Sequence, residues 1–410
     1  MDNALLDPPP QAHPNAVRRA LLCGASSAAA MSAVAPLQRA FAQAAPAARP
    51  LPAYAAFKDP GSMIVHSTNT IEMRRGAAGM GAVTTVNQLY VRNNLAPPSA
   101  DIMAKPDEWV VSVEGVRVPR QFTLGELKKR KSETVTMVLQ CSGNGRGFFP
   151  SKPSGTPWTT GAAGCVMFTG VPVRELVAAQ GGLLKGARFM TGTGGEVLPA
   201  GIDPKSRVER SVPLEAMEDA ILAWQINGEP IPLAHGGPLR LVVPGFTGVN
   251  SVKYVKRLAF GSEESDSAIQ QTDYRMTPAS EKSVRPTDPS VWQMPPKSWV
   301  NLPLPDSQVK AGETVAIQGV AFGGVHAVRH VDVSTDGGAT WARAELVGPD
   351  LGRFAWRQFA LNVKLSPGAH LVTSRITDVK GNVQIENRVE NRAGYINSSW
   401  RDHAVKIQAA

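Results

Sequence analysis

The chain has 410 residues, 43% of them hydrophobic and 19% charged, with 38 glycines, 33 prolines and three cysteines. This length supports about two domains with cores of their own, and glycine and proline in excess without a period argue for turns and strands rather than a collagen-like or disordered chain. The formal net charge of +9 is scattered, with only short runs such as Lys128-Lys129-Arg130-Lys131, so no nucleic-acid arm is expected and the charge reads first as a solvated basic face, the alternative being a general attraction for anions or an acidic partner.

Residues 1–44 carry the marks of an export signal. Arg18-Arg19 precede a mildly apolar stretch from Ala20 to Leu37, and Phe41-Ala42-Gln43-Ala44 places small residues at the A-x-A positions. Paired arginines ahead of a weakly apolar stretch point to the twin-arginine route and the periplasm, with cleavage after Ala44. No later segment reaches the roughly 18 consecutive apolar residues of a membrane span. Cys23 falls inside the signal, which leaves Cys141 and Cys165. In an exported protein the first expectation for such a pair is a disulfide.

Residues 45–60 are rich in proline and alanine and read as an extended lead-in of little information. WVVSVEGVRV at 109–118 alternates as a strand and turn, and Thr123 with Glu126 forms a capping box that opens a short helix. TVTMVLQ at 134–140 is a β-branched strand ending directly in Cys141. Behind it Gly143, Gly145 and Gly147 leave room for a bulky group against the backbone. Residues 173–180 predict a short helix, followed by strands and turns through Trp224, a turn at Asn227-Gly228, and a strand at 239–243 stopped by Pro244-Gly245. Around residues 288–305 the composition becomes proline-rich and linker-like. Beyond it, short strands at 314–322, 328–335, 340–347, 356–364 and 370–378 predict an immunoglobulin-like β-sandwich. The expected organisation is α+β: a signal at 1–44, a mixed α/β domain at 45–288 and the sandwich at 289–410.

Gln140-Cys141-Ser142-Gly143-Asn144 is followed by Trp158, a Gly-Ala pair and Thr169-Gly170-Val171-Pro172. Around this centre stand Leu89-Tyr90-Val91-Arg92-Asn93, then His235-Gly236-Gly237-Pro238-Leu239-Arg240 with Val243-Pro244-Gly245, then Ser251-Val252-Lys253 and Gln271-Thr272-Asp273-Tyr274-Arg275. In this order the set resembles the sulfite oxidase family along nearly the whole chain after residue 44. The resemblance implies a molybdenum-pyranopterin (molybdopterin) cofactor with Cys141 as the protein's ligand to the metal, a role that suits a soft thiolate. Cys165 then stays unpaired. It places Leu89, Tyr90, Val91, Arg92, Asn93, His235, Arg240, Ser251, Val252 and Lys253 around the cofactor, with His235, Arg240 and Lys253 as donors to phosphate and pterin edges. It makes Arg92 the holder of an oxyanion, because a planar guanidinium grips two oxygens at once. Tyr274 becomes a phenol beside the substrate that helps proton movement, and Arg146 a lining of the basic entrance.

Two departures qualify the resemblance. Asn94 stands where many family members carry histidine after Arg-Asn, so that histidine's role in substrate orientation or electron flow does not carry over. The sequence holds no haem-attachment C-x-x-C-H, and the stretch before residue 60 leaves no room for a haem domain, so electrons are expected to leave to a c-type cytochrome or haem subunit. The expected function is a periplasmic sulfite dehydrogenase, as a homodimer or as a heterodimer with a cytochrome subunit. Its rivals are a sulfane dehydrogenase subunit or a methionine sulfoxide reductase of the same fold group. From another class comes a secreted, non-catalytic binding protein without molybdenum. Residues 305–410 weigh against the reductase.

Overall fold

β-Branched and alternating segments become strands throughout the computed structural model, which describes residues 49–410 and gathers those strands into five sheets. The expected signal, with Arg18-Arg19 and Cys23, lies outside the described residues. Helices are short, the longest α-helix among the described residues being Val173–Ala179. The capping box forms as expected at Leu124–Lys128: Thr123 Oγ1 accepts from the Glu126 N–H at 3.1 Å, and the Thr123 N–H donates to the Glu126 carboxylate at 2.7 Å. Each bond satisfies an N–H that the first helical turn leaves free.

The first domain rests on two five-stranded sheets. In one, Glu133–Gln140 pairs antiparallel with Ala163–Pro172, which pairs with Ile221–Ile226, and Arg240–Val242 joins the last of these. Asn227 and Gly228, with φ of 52° and 86°, make the tight turn that returns the chain after Ile221–Ile226. In the other, Val110–Glu114 runs parallel to Arg257–Gly261, which pairs with Phe189–Thr193. A smaller three-stranded sheet, Met63–Ser67, Thr70–Met73 and Val91–Arg92, lies nearest the lead-in. The ends of these strands deliver Arg92, Cys141 and Arg240 to one region.

The C-terminal domain is the expected sandwich, a four-stranded and a five-stranded sheet around Val300, Ile317, Val331, Phe359, Val372 and Ile376. Two expectations are corrected. The proline-rich stretch at 288–305 is not a linker: Lys297–Leu302 is a strand paired with Thr314–Phe322, and five of its six residues are buried. Both of its faces are covered, Val300 in the sandwich core and Trp299 against Val138, Ala163 and Cys165 of the first domain. The strand expected at 340–347 divides at Ala344, with Ala342–Arg343 paired in one sheet and Glu345–Val347 in the other. The sandwich also contains a strand that was not expected, Val405–Ala409, beside Gly368–Asp378. Between those last two, residues 379–404 run irregularly back to the first domain. Among the described residues no helix is long and apolar enough to cross a membrane.

Candidate cofactor and oxyanion site

Cys141 follows the last residue of Glu133–Gln140 and is held by a bond from its N–H to Ala162 O at 2.9 Å, with Asn144 N–H returning to its carbonyl at 3.0 Å. Its thiol is free, as is that of Cys165. The disulfide suggested by compartment alone is therefore absent. Cys165 faces Val138 in the neighbouring strand, and burial pushes its thiol up to about 12.

Protein atoms, rather than a ligand, fill the space beside the loop glycines. A Cβ at Gly143 would meet the Arg146 guanidinium at 2.7 Å, one at Gly145 would meet Asn397 and His403, and one at Gly147 the carbonyl of Pro157 at 2.8 Å. Gly145 also has φ of 95°, which favours glycine. The C-terminal domain grips this loop through three of its carbonyls: Ile396 N–H donates to Ser142 O at 2.8 Å, Lys297 Nζ to Asn144 O at 3.1 Å and Asn397 Nδ2 to Gly145 O at 3.0 Å. From the other side, buried Glu72 accepts from Thr159 N–H, Thr159 Oγ1 and Gly161 N–H, steadying the strand partner of the cysteine.

Cys141 opens into a cleft with about 600 Å³ of empty space, the open solvent at its mouth included. Of the residues singled out from the sequence, Tyr90, Arg92, Asn93, His235, Arg240, Ser251, Val252, Lys253 and Tyr274 line it together with Cys141, whereas Leu89, Val91 and Arg146 do not. Leu89 turns its side chain toward Gly164, and its carbonyl is taken by Lys58. Val91 is buried and paired with Ile71. Arg146 is buried behind the loop, bonded to Ala393 O at 2.7 Å and Thr156 O at 3.1 Å, with its guanidinium 5.3 Å from the Tyr395 ring. The expectation that Arg146 lines the entrance is corrected: its cation braces the loop and the aromatic pair beside it.

At one end of the cleft, Arg92 NH2 donates to the Tyr274 phenol at 3.3 Å, and that phenol donates to Asn94 Oδ1 at 3.0 Å. Asn94, the departure noted above, therefore holds the tyrosine. Burial draws the Arg92 guanidinium down, but the phenols of Tyr274 and Tyr395 and the Cys141 thiol outweigh it and hold the group above its ordinary value. Burial raises the Tyr274 phenol, with Arg92 pulling against it, so it keeps its proton at neutral pH. The Tyr395 ring, from the sandwich, stacks on Tyr274 at 5.1 Å and 16°.

At the other end, cations gather almost without acids. Lys253 Nζ donates to Asn93 Oδ1 and Ala234 O, each at 2.6 Å. Arg240 donates to Ser251 O and His235 O, and Lys58 Nζ lies 2.6 Å from His235 Nε2. Burial holds the lysine ammoniums and the His235 imidazole well below their ordinary values, and neighbouring cations add to the effect on Lys253 and His235. Glu196 is the one carboxylate in the cleft lining; burial raises it to about 7, and its Oε2 has no protein partner. Buried cations without matching acids call for a bound anion, and an acceptor left open beside them suits the N–H edge of a pterin. Among the described residues no group of three or more His, Cys, Asp and Glu side chains gathers to hold a metal, so a metal at Cys141 draws further ligands from a cofactor. The residues present fit a phosphate-bearing pterin that carries a metal.

Four residues escaped the sequence reading. Lys58 lay in a segment without periodicity, and Glu196 in a glycine-rich loop. Asn94 was noticed only as a missing histidine. Tyr395 reaches the site from the other domain, which no local pattern signals.

Residues 96–269 match the family described as the oxidoreductase molybdopterin binding domain, and residues 288–410 match the Mo-co oxidoreductase dimerisation domain. The chain is similar to sulfite oxidase of Gallus gallus, 32% identical over 77% of this chain and 72% of that one. It is 31% identical to mitochondrial sulfite oxidase of Rattus norvegicus, covering 78% of this chain and 60% of that one. It is also 31% identical to the NAD(P)H nitrate reductase of Hordeum vulgare, covering 78% and 39%. In fold it resembles the sulfane dehydrogenase SoxCD from Paracoccus pantotrophus, with a TM-score of 0.70 at 24% identity over 90% of this chain and 95% of that one.

Proposed function

The chain belongs to the sulfite oxidase family of molybdenum-molybdopterin oxidoreductases, and on that premise we propose that it is a sulfite dehydrogenase passing electrons to a c-type cytochrome. The observation that carries this reading is the hydrogen-bonded corner of Arg92, Tyr274 and Asn94 in the cleft that Cys141 lines. When bound, the cofactor supplies two-electron oxidation chemistry at its metal. Arg92 binds and orients a small oxyanion there, since a guanidinium presents paired donors to two oxygens. Tyr274 keeps a proton at its phenol oxygen, which accepts from Arg92 and donates to Asn94, at a place where that proton can be exchanged with substrate or water. The balance is sulfite plus water giving sulfate, two protons and two electrons.

A sequence without C-x-x-C-H supports a separate electron acceptor. The match of residues 288–410 to a dimerisation domain supports assembly through the sandwich, either with a second copy or with a cytochrome subunit. Arg18-Arg19 and the A-x-A segment before Ala45 support export to the periplasm by the twin-arginine route.

The test is steady-state reduction of cytochrome c by molybdenum-loaded protein given sulfite, with thiosulfate as a parallel electron donor and with methionine sulfoxide and nitrate each offered to the reduced protein as electron acceptors. Sulfite-dependent reduction that exceeds all others supports the assignment. Turnover of another compound with sulfite inert would leave family and cofactor in place and replace the substrate.

A further inference from the structure

Lys58 is only 2% exposed and comes from the proline- and alanine-rich lead-in. Its ammonium lies 2.5 Å from the carbonyl oxygens of Val86 and Leu89 and 2.6 Å from His235 Nε2. None of these partners is a carboxylate. The same holds for Lys253 and Arg240, whose bonds go to carbonyl and amide oxygens. Three basic side chains thus stand around one carboxylate, Glu196, too few acids to neutralise them. A phosphate monoester, with a charge of about −2 near neutral pH, supplies the missing negative charge.

We infer that Lys58 is the rear member of a phosphate-binding cluster: it positions His235 through Nε2 and, with Lys253 and Arg240, supplies the positive charge that the cofactor's phosphate neutralises. Lys58 does not line the cleft itself, so it is a positioning residue acting through the imidazole. The segment that carries it is pinned along its length. Arg49 NH1 donates to His66 O at 2.6 Å, Tyr54 Oη donates to Thr68 O at 2.6 Å, and Asp59 N–H donates to Asn87 O at 3.1 Å. Phe57 meets His235 edge-on at 6.2 Å. Phe57 and Lys58 therefore bracket the imidazole, and residues 49–60 close the back of the subsite. The inference concerns the cofactor and stands whichever substrate is turned over.

The test uses full-length Lys58→Gln and Lys58→Met, each prepared loaded and cofactor-free. Pterin loss is followed by fluorescence after desalting, and the thermal midpoint of the cofactor-free chain is measured beside it. The glutamine variant keeps an amide donor for the two carbonyls and removes the charge, so it remains informative if the methionine variant fails to fold. The expected result is loss of pterin roughly 10- to 100-fold faster from a chain whose cofactor-free midpoint is equal to or above wild type, because an unmatched buried charge has gone. Wild-type retention of pterin in Lys58→Gln would overturn the inference. So would a cofactor-free Lys58→Gln chain that melts below wild type, since Lys58 would then serve only to hold the backbone together.

Discussion

The N–H of Ile396, in the sandwich, donates to the carbonyl of Ser142, the residue after Cys141, at 2.8 Å. Next to it in sequence, Tyr395 stacks on Tyr274. Both Ile396 and Tyr274 have φ of 51°, a left-handed conformation that β-branched and aromatic residues rarely adopt. Such backbones persist where their surroundings impose them, and here two domains impose them on each other. The sandwich is therefore part of the site's framework.

Tyr395 should act on turnover through its ring. An aromatic pair contributes about 1 kcal/mol beyond its buried area, and the loss of orientation at Tyr274 adds to this. Tyr395→Ala should lower kcat roughly tenfold, equivalent to about 1.4 kcal/mol, with molybdenum content unchanged, whereas Tyr395→Phe keeps the stack and most of the rate. Equal loss in both variants would show that the phenol, not the ring, matters.

In the proposed function Arg92 binds the oxyanion. Arg92→Gln removes the charge and the paired donors, and with charged hydrogen bonds worth about 1.5–3 kcal/mol each, kcat/KM should fall by roughly 100-fold. The fall should appear mainly in KM. A change confined to kcat would place the group at the reaction step rather than at binding.

Glu196 makes the stability of the cofactor-free chain depend on pH. Its folded value, about 7, lies above the ordinary value of 4.5, so folding favours the protonated acid. Its contribution is full below about pH 4.5 and is lost as pH rises through 7. His235 and the lysines, held below their ordinary values, contribute with the opposite sign. Comparing thermal midpoints of cofactor-free wild type and Glu196→Gln between pH 5 and 8 isolates the carboxyl: the variant should gain relative to wild type as pH rises. A constant difference would show that Glu196 does not titrate there.

Local patterns carried much of the architecture. Thr123 and Glu126 form the expected capping box, Asn227-Gly228 the expected turn, and the β-branched run before Cys141 is a strand that ends on that residue. Lys297–Leu302 was masked by flanking prolines, and because it is covered on both faces it lacks the alternation that marks a half-buried strand. Val405–Ala409 does alternate, buried with exposed, and that signal could have found it. Lys58, Tyr395 and the bracing role of Arg146 depend on contacts between residues tens to hundreds of positions apart. No local propensity records such contacts.

Metal ligation by Cys141 is the central claim, and X-ray absorption at the molybdenum edge tests it most directly, on loaded wild type beside Cys141→Ser. One sulfur neighbour should disappear from the metal in the variant while pterin content is retained, because on this account Lys253, Arg240 and His235 still hold the cofactor. An unchanged number of sulfur neighbours would contradict the account and remove Cys141 from the metal.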